Sequence, residues 1–202
     1  MKRLILFVFC AVAALGTPSV SAQTAKQVLD KCAATVSDKN GVQASFSMES
    51  AQYRNVDGTI AVKGRMFKAQ TDVATMWFDG KTQWTYMKNN DEVNVSNPTE
   101  SQLQALNPYN FINMYKKGYR YTMTSSAQGY QVHLTATDAK RKVQEIFIVV
   151  DKNSYAPLEV KLLQGTKWTK FTISNLKKAK LADGEFRFNS KDYPTAEVID
   201  LR

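Results

Sequence analysis

The chain has 202 residues, with 27 lysines and arginines against 18 aspartates and glutamates, one histidine and two cysteines. The resulting charge of +9 suits an acidic partner or an anionic membrane surface. One histidine is too few for a zinc site built from histidine and cysteine clusters, and neither a phosphate-binding loop nor a dinucleotide glycine pattern occurs, so no metal and no cofactor is expected.

Residues 1–22 read as a secretory leader. Lys2 and Arg3 give a positive start, residues 4–15 an apolar run, and Ser19-Val20-Ser21-Ala22 small residues before a cut ahead of Gln23. The run is too short to span a bilayer. Cys10 lies inside it behind the bulky Phe9, where a lipoprotein signal carries a small residue, so no lipid anchor is expected. The expected mature domain, residues 23–202, carries a charge of +7, because the cut removes Lys2 and Arg3 and no acid. Its one cysteine, Cys32, can form no internal disulfide and falls on the apolar side of a helix, as core filler.

Thr24-Ala25-Lys26-Gln27 is a capping box, and Val28, Leu29, Cys32, Ala33 and Val36 follow at helical spacing up to a stop near Asn40-Gly41. The period then becomes two. Val42, Ala44, Phe46 and Met48 alternate with polar neighbours. Asp57-Gly58 reads as a first hairpin turn, with Ile60, Val62, Gly64 and Met66 on one face of a return strand, and Asp79-Gly80 as a second turn, between 74–78 and 82–87. A short strand at 92–96 follows. Thr99-Glu100-Ser101-Gln102 is another capping box, and Asn107-Pro108 opens a segment in which Phe111, Ile112 and Tyr115 share a face before Lys116-Lys117-Gly118 closes it. Strands resume at 119–125, 130–136, 143–150, 158–164 and 167–176, with tail strands at 185–188 and 196–201. Ten or eleven short strands in meander order predict one domain built on a large antiparallel curved sheet or barrel, of mainly β with α (α+β) class.

Catalytic constellations are missing. His133 alternates with Gln131 and Thr135 on the polar side of its strand. A glycosidase-type carboxylate pair leaves no signature in sequence. The acids Asp57, Asp79, Asp91, Asp138, Asp151 and Asp183 fall in turns, where turn chemistry accounts for them. No enzyme activity is expected. The basic runs Lys140-Arg141-Lys142 and Lys177-Lys178-Ala179-Lys180 fall at turns and read as solvated charge, with no nucleic acid expected as partner.

The inward candidates from alternation are Phe46, Met48, Met66, Met76, Phe78, Trp84, Tyr86, Val160, Leu162, Phe171 and Ile173. Alternation builds solid cores as readily as cavities, but barrels of this strand number commonly hold a ligand, and methionine suits a lining that accepts variable shapes.

The stretch Met76-Trp77-Phe78-Asp79-Gly80-Lys81-Thr82-Gln83-Trp84-Thr85-Tyr86, then Asp91-Glu92-Val93-Asn94-Val95-Ser96 and Asn107-Pro108, resembles the outer-membrane lipoprotein carrier (LolA-like) family. The ending Phe186-Arg187-Phe188 and Tyr193-Pro194-Thr195-Ala196-Glu197-Val198-Ile199-Asp200 is similar to that family's terminus. The resemblance covers essentially the whole mature chain and marks a distant branch. It implies an incomplete antiparallel barrel with a lid of short helices over a hydrophobic cavity, the segment around Phe111, Ile112 and Tyr115 belonging to the lid. It implies a monomeric periplasmic carrier that takes lipoproteins by their acyl chains from an inner-membrane ABC-type releasing transporter to an outer-membrane acceptor. An outer-membrane receptor or lipid-binding sensor of the same fold, and an envelope glycan enzyme, are the alternatives. Relatives carry a basic residue followed by proline after the second long strand. Here Phe67-Lys68-Ala69-Gln70-Thr71 stands in that place with neither the proline nor a basic residue at the aligned spot, and the lid-holding role is not carried over to the nearby Lys68.

Overall fold

The computed structural model describes residues 23–50, 55–99, 102–103 and 114–202. The expected leader, Asn107-Pro108, Phe111 and Ile112 lie outside the described residues, and with them most of the expected lid.

The first capping box forms as its spacing dictates. Thr24 Oγ1 accepts from Gln27 N at 3.3 Å, and Gln27 Oε1 accepts from Thr24 N at 2.9 Å, opening helix α1 (Ala25–Thr35). The helix stops short of Asn40-Gly41. The hydroxyls of Thr35 and Ser37 hydrogen-bond the carbonyls of Cys32 (2.8 Å) and Ala33 (2.6 Å), and the Asp38 carboxylate accepts from Asn40 N at 2.8 Å, so side chains take over from the helical ladder. The second box forms too: Thr99 N donates to Gln102 Oε1 at 2.8 Å, Gln102 N donates to Thr99 Oγ1 at 3.3 Å, and Gln102 and Leu103 are helical.

The described residues form twelve strands: β1 (Val42–Ser50), β2 (Val56–Lys63), β3 (Met66–Thr71), β4 (Ala74–Phe78), β5 (Gln83–Met87), β6 (Glu92–Ser96), β7 (Tyr119–Ser125), β8 (Tyr130–Ala136), β9 (Val143–Val150), β10 (Pro157–Gln164), β11 (Lys167–Lys178) and β12 (Glu197–Asp200). They make one sheet in the order β12-β6-β5-β4-β3-β2-β1-β11-β10-β9-β8-β7. The sheet is open, not closed into a barrel, with β7 at one edge and β12 at the other. Every neighbour pair is antiparallel except β12 and β6, which run parallel.

Three readings from the sequence are corrected. Asp57-Gly58 lies inside β2, paired with Ser47 and Phe46, and is no turn. The reversal falls at Gly64-Arg65, where Gly64 takes φ +59° and Lys63 pairs with Met66. A two-residue loop needs positive φ, which glycine supplies without strain. The supposed single return strand is therefore two strands. In the tail, Asp183–Phe186 is a 3₁₀ turn, so 185–188 is not a strand. The turn at Asp79-Gly80 stands as read: Asp79 Oδ1 accepts from Lys81 N (3.0 Å) and Thr82 N (2.9 Å), and Gly80 sits at φ +99°.

The two faces of the sheet have different covers. On one, α1 packs Val28, Leu29, Cys32 and Ala33 against Val132, Leu134, Ile146, Ile148, Val150 and Val160. Cys32 is fully buried there, and burial pushes its thiol up to about 12, which makes it inert filler. On the other, the tail crosses β4 and β5 and ends as β12. Trp77 meets Phe188 and Tyr193 edge-on at 5.7 and 5.6 Å, and Tyr86 lies 4.5 Å from Tyr193. His133 faces the side away from α1, stacked on Phe147 at 4.1 Å and within 2.9 Å of Glu145 Oε2.

Candidate functional site: the apolar face of strands β1 to β5

Residues opposite each other in the ladder share a face, so register decides which candidates meet. One row runs Val42, Val62, Phe67, Phe78, Gln83 and Ser96. The next runs Ala44, Ile60, Ala69, Met76, Thr85 and Asn94. Phe46, Gly58 and Thr71 begin a third, and Phe46 and Met48 pair with Ile173 and Phe171 of β11. On β1 to β4 these positions carry no charge. The opposite face of the same strands carries Gln43, Ser45, Glu49, Asp57, Lys63, Lys68 and Gln70.

Local chemistry shapes this face. Gly58 is closely approached from two sides: a Cβ there would come within 2.3 Å of the Gln70 carbonyl oxygen and 2.7 Å of the Phe46 ring, so glycine is required where that ring lies across the strand pair. The rings of Phe67 and Phe78 lie 5.5 Å apart, tilted by 35°, and are buried with Val42, Val62 and Leu103. Phe46, Met48, Ile60, Met76, Met87, Phe171 and Ile173 are only half-buried. The apolar face therefore has a closed end at Phe67 and Phe78 and a more exposed stretch beside it. Towards β6 it turns polar through Gln83, Thr85, Asn94 and Ser96.

The fourteen residues proposed from sequence separate into four groups. Phe46, Met48, Met76, Phe78, Phe171 and Ile173 share this face. Val160, Leu162 and Tyr115 belong to the core packed under α1. Tyr115 is tied to the helix by its hydroxyl, which donates to Asp30 Oδ1; burial and that carboxylate push its pKa well above the usual phenol range. Met66, Trp84 and Tyr86 lie on the opposite face, since Met66 pairs with Lys63, Trp84 with Trp77 and Tyr86 with Thr75. A hairpin joining even to odd numbers switches inward parity, and each of the loops at 64–65 and 79–82 does this. Tyr86 donates to Asp91 Oδ1 at 2.9 Å, and that carboxylate raises the phenol's pKa. Phe111 and Ile112 lie outside the described residues. Sequence reasoning missed Phe67, Leu103 and Gln83. The glycine at 64, read as a turn, would have exposed Phe67.

Two surface hollows lie away from this face. One, of about 640 Å³, is lined by Glu49, Gln131, Phe147, Lys161, Trp168 and Lys170. The other, of about 670 Å³, is lined by Gln43, Ser45, Thr59, Lys68, Lys177 and Glu185 among others, and reaches Ala44 and Ile60 of the strands beneath. Among the described residues, no group of three histidines, cysteines or acids could hold a metal ion.

An open sheet whose strands β1 to β4 carry no charge on one face, with a helix on the same side, is a half-barrel. A family model described as Outer membrane lipoprotein carrier protein LolA matches residues 15–166, and the chain belongs to that family. An uncharacterized conserved protein from Thermus thermophilus is similar in fold, with a TM-score of 0.58 at 14% identity over 88% of this chain and 99% of that one. A LolA superfamily protein from Nitrosomonas europaea gives 0.44 at 13% identity over 83% of this chain and 99% of that one. No curated protein matches the sequence.

Proposed function

We propose that this chain is a periplasmic carrier that shelters the acyl chains of lipoproteins on the face of Phe46, Met48, Met76 and Phe78 while they pass from the inner to the outer membrane. The observation that carries this reading is an uncharged apolar face, half-buried at its centre, in a chain of the lipoprotein carrier family. Energetics give the reason for such a protein. Burying a methylene stabilises by about 0.8 kcal/mol, so a sixteen-carbon chain is held by roughly 12 kcal/mol and does not cross water unaided. A carrier must offset most of that and still release its guest. A loosely packed face with flexible methionines does so better than a tight pocket.

In this reading the loading partner is an ABC-type releasing transporter in the inner membrane and the receiving partner an outer-membrane acceptor. Transfer runs towards the tighter site, the basic charge of the chain guides docking to acidic surfaces, and no covalent step is involved. A charge at the centre of the face tests it. Met76→Glu is expected to abolish displacement of a fluorescent fatty-acid probe while the far-ultraviolet circular dichroism stays unchanged. Gln70→Glu, on the opposite face of the neighbouring strand, is expected to bind as wild type does. Equal binding by wild type and Met76→Glu would overturn the reading. Lipids co-purifying with the chain from the periplasm, identified by mass spectrometry, are expected to be diacylglyceryl species.

A further inference from the structure

Gln83 stands where the apolar face becomes polar. It occupies the same cross-strand row as Val62, Phe67 and Phe78, with Ser96 as its neighbour on β6. Only 7% of its surface is exposed. Its amide nitrogen donates to Thr85 Oγ1 at 3.2 Å, but its carbonyl oxygen is sealed from solvent and accepts no hydrogen bond from the described residues. A buried amide oxygen without a donor costs free energy that an apolar side chain of the same size would not cost. The fold has no need of an amide here: Phe67 and Phe78 show that the row packs with apolar groups. What the oxygen lacks is a donor, and the face it shares is one that takes an apolar guest.

We propose that Gln83 is the head-group anchor of this face, and that the ligand is an acyl amphiphile with a hydrogen-bond donor at the carbonyl end of its chain. This rests on the carrier reading and narrows it. From β1 to β5 the row crosses four strand spacings, about 19 Å at the usual separation, and its first four positions are apolar. A chain laid along it keeps its methylenes over Val42, Val62, Phe67 and Phe78 and brings its head to Gln83, with Ser96 and Asn94 beyond. Val42, Val62, Phe67 and Phe78 are themselves buried together with Leu103, so Leu103 must move for a chain to pass from the half-buried stretch over Ile60 and Met76 onto this row. An amide N–H on an N-acylated head or a glycerol hydroxyl supplies the missing donor, whereas a fatty ester does not.

The test compares wild type with Gln83→Leu, using N-palmitoylglycinamide, monopalmitoylglycerol and methyl palmitate as competitors of a fluorescent fatty-acid probe. Loss of one hydrogen bond predicts about tenfold weaker binding of a donor-bearing ligand, with less than about a twofold change for methyl palmitate. A loss confined to the amide assigns the amide N–H, and one confined to the glycerol assigns the hydroxyl. Either supports the anchor. The thermal midpoint of Gln83→Leu is expected to equal or exceed that of wild type, a sign opposite to that of a residue kept for stability. Gln83→Met, nearly isosteric, repeats the measurement if the leucine variant fails to fold. Equal losses for all three ligands, or no loss for any, overturn the anchor and leave the apolar site standing. Failure of every ligand to displace the probe from wild type removes the carrier reading, and the anchor with it.

Discussion

The two halves of the sheet share one face but not one state. Under α1, Val132, Leu134, Ile146, Ile148 and Val150 are all fully buried, and the helix contributes Val28, Leu29 and Cys32 to the same core. On β1 to β5, Val42, Val62, Phe67 and Phe78 are buried with Leu103, but Phe46, Met48, Ile60, Met76 and Met87 beside them are half-buried. Both sets are wholly apolar, so polarity does not separate them. Their cover does. A stretch held under a helix is committed to stability, while an apolar one left half-open retains free energy that a guest can release.

Truncation should therefore divide the halves most sharply. Ile148→Ala opens a cavity beneath α1 and is expected to cost about 2–5 kcal/mol in urea unfolding, with acyl binding preserved in the protein that remains folded. Met76→Ala removes a side chain already partly in water, so about 1 kcal/mol is expected, with a weaker affinity for the fatty-acid probe. Equal stability losses at the two positions would erase the distinction.

This contrast is half legible in the sequence. Periodicity places Val42 to Met48 on one side of β1, and the strands from 119 to 176 fall where alternation sets them, because each is bounded by an unambiguous break such as Ala127-Gln128-Gly129 or Gly165-Thr166. The errors arise at hairpins. Parity carried through Gly64 and through Asp79-Gly80, as though the strand numbering continued, puts Met66, Trp84 and Tyr86 on the wrong face. Side chains alternate strictly, so a single unrecognised loop inverts a whole strand. Nor can periodicity show that Trp77 and Tyr86 pack under Phe188 and Tyr193, about a hundred residues away in the chain. The orphaned oxygen of Gln83 is a fact of packing, and no local pattern marks it.

The tail provides the next test, because it covers the face opposite the proposed site. Tyr193→Ala removes ring contacts to Trp77, Tyr86 and Phe188. About 2 kcal/mol of stability should go with them, and the amides of β12 should exchange faster with deuterium. Acyl affinity should not change. If it falls with Tyr193, the two faces are coupled and the division by register is incomplete. A smaller effect is expected at the start of the helix. Thr24→Ala breaks the capping box and should lower stability by about 1 kcal/mol, again without altering affinity, since α1 covers the other half.

The smallest effect concerns how the residues that follow the undescribed segment are tied to α1. Asp30 accepts hydrogen bonds from Lys26 Nζ, at 2.7 Å, and from the Tyr115 hydroxyl, and both hold its carboxyl below the ordinary value of 3.8, Lys26 contributing more. A carboxylate whose pKa is lower in the folded chain adds stability above the ordinary pKa, and that contribution disappears as pH falls through the lowered value. Tyr115→Phe deletes one of the two donors and lets the Asp30 pKa move back up, so the folded and unfolded values draw together. At neutral pH the loss should be small, roughly 0.5 kcal/mol, because Lys26 still pairs with a carboxylate on the water side of the helix. The acid limb of a stability profile between about pH 2 and pH 6 should become shallower in the variant. Parallel acid limbs in the two proteins would mean that Lys26 alone sets the pKa of Asp30, and that Tyr115 holds the helix by packing and not by its hydroxyl.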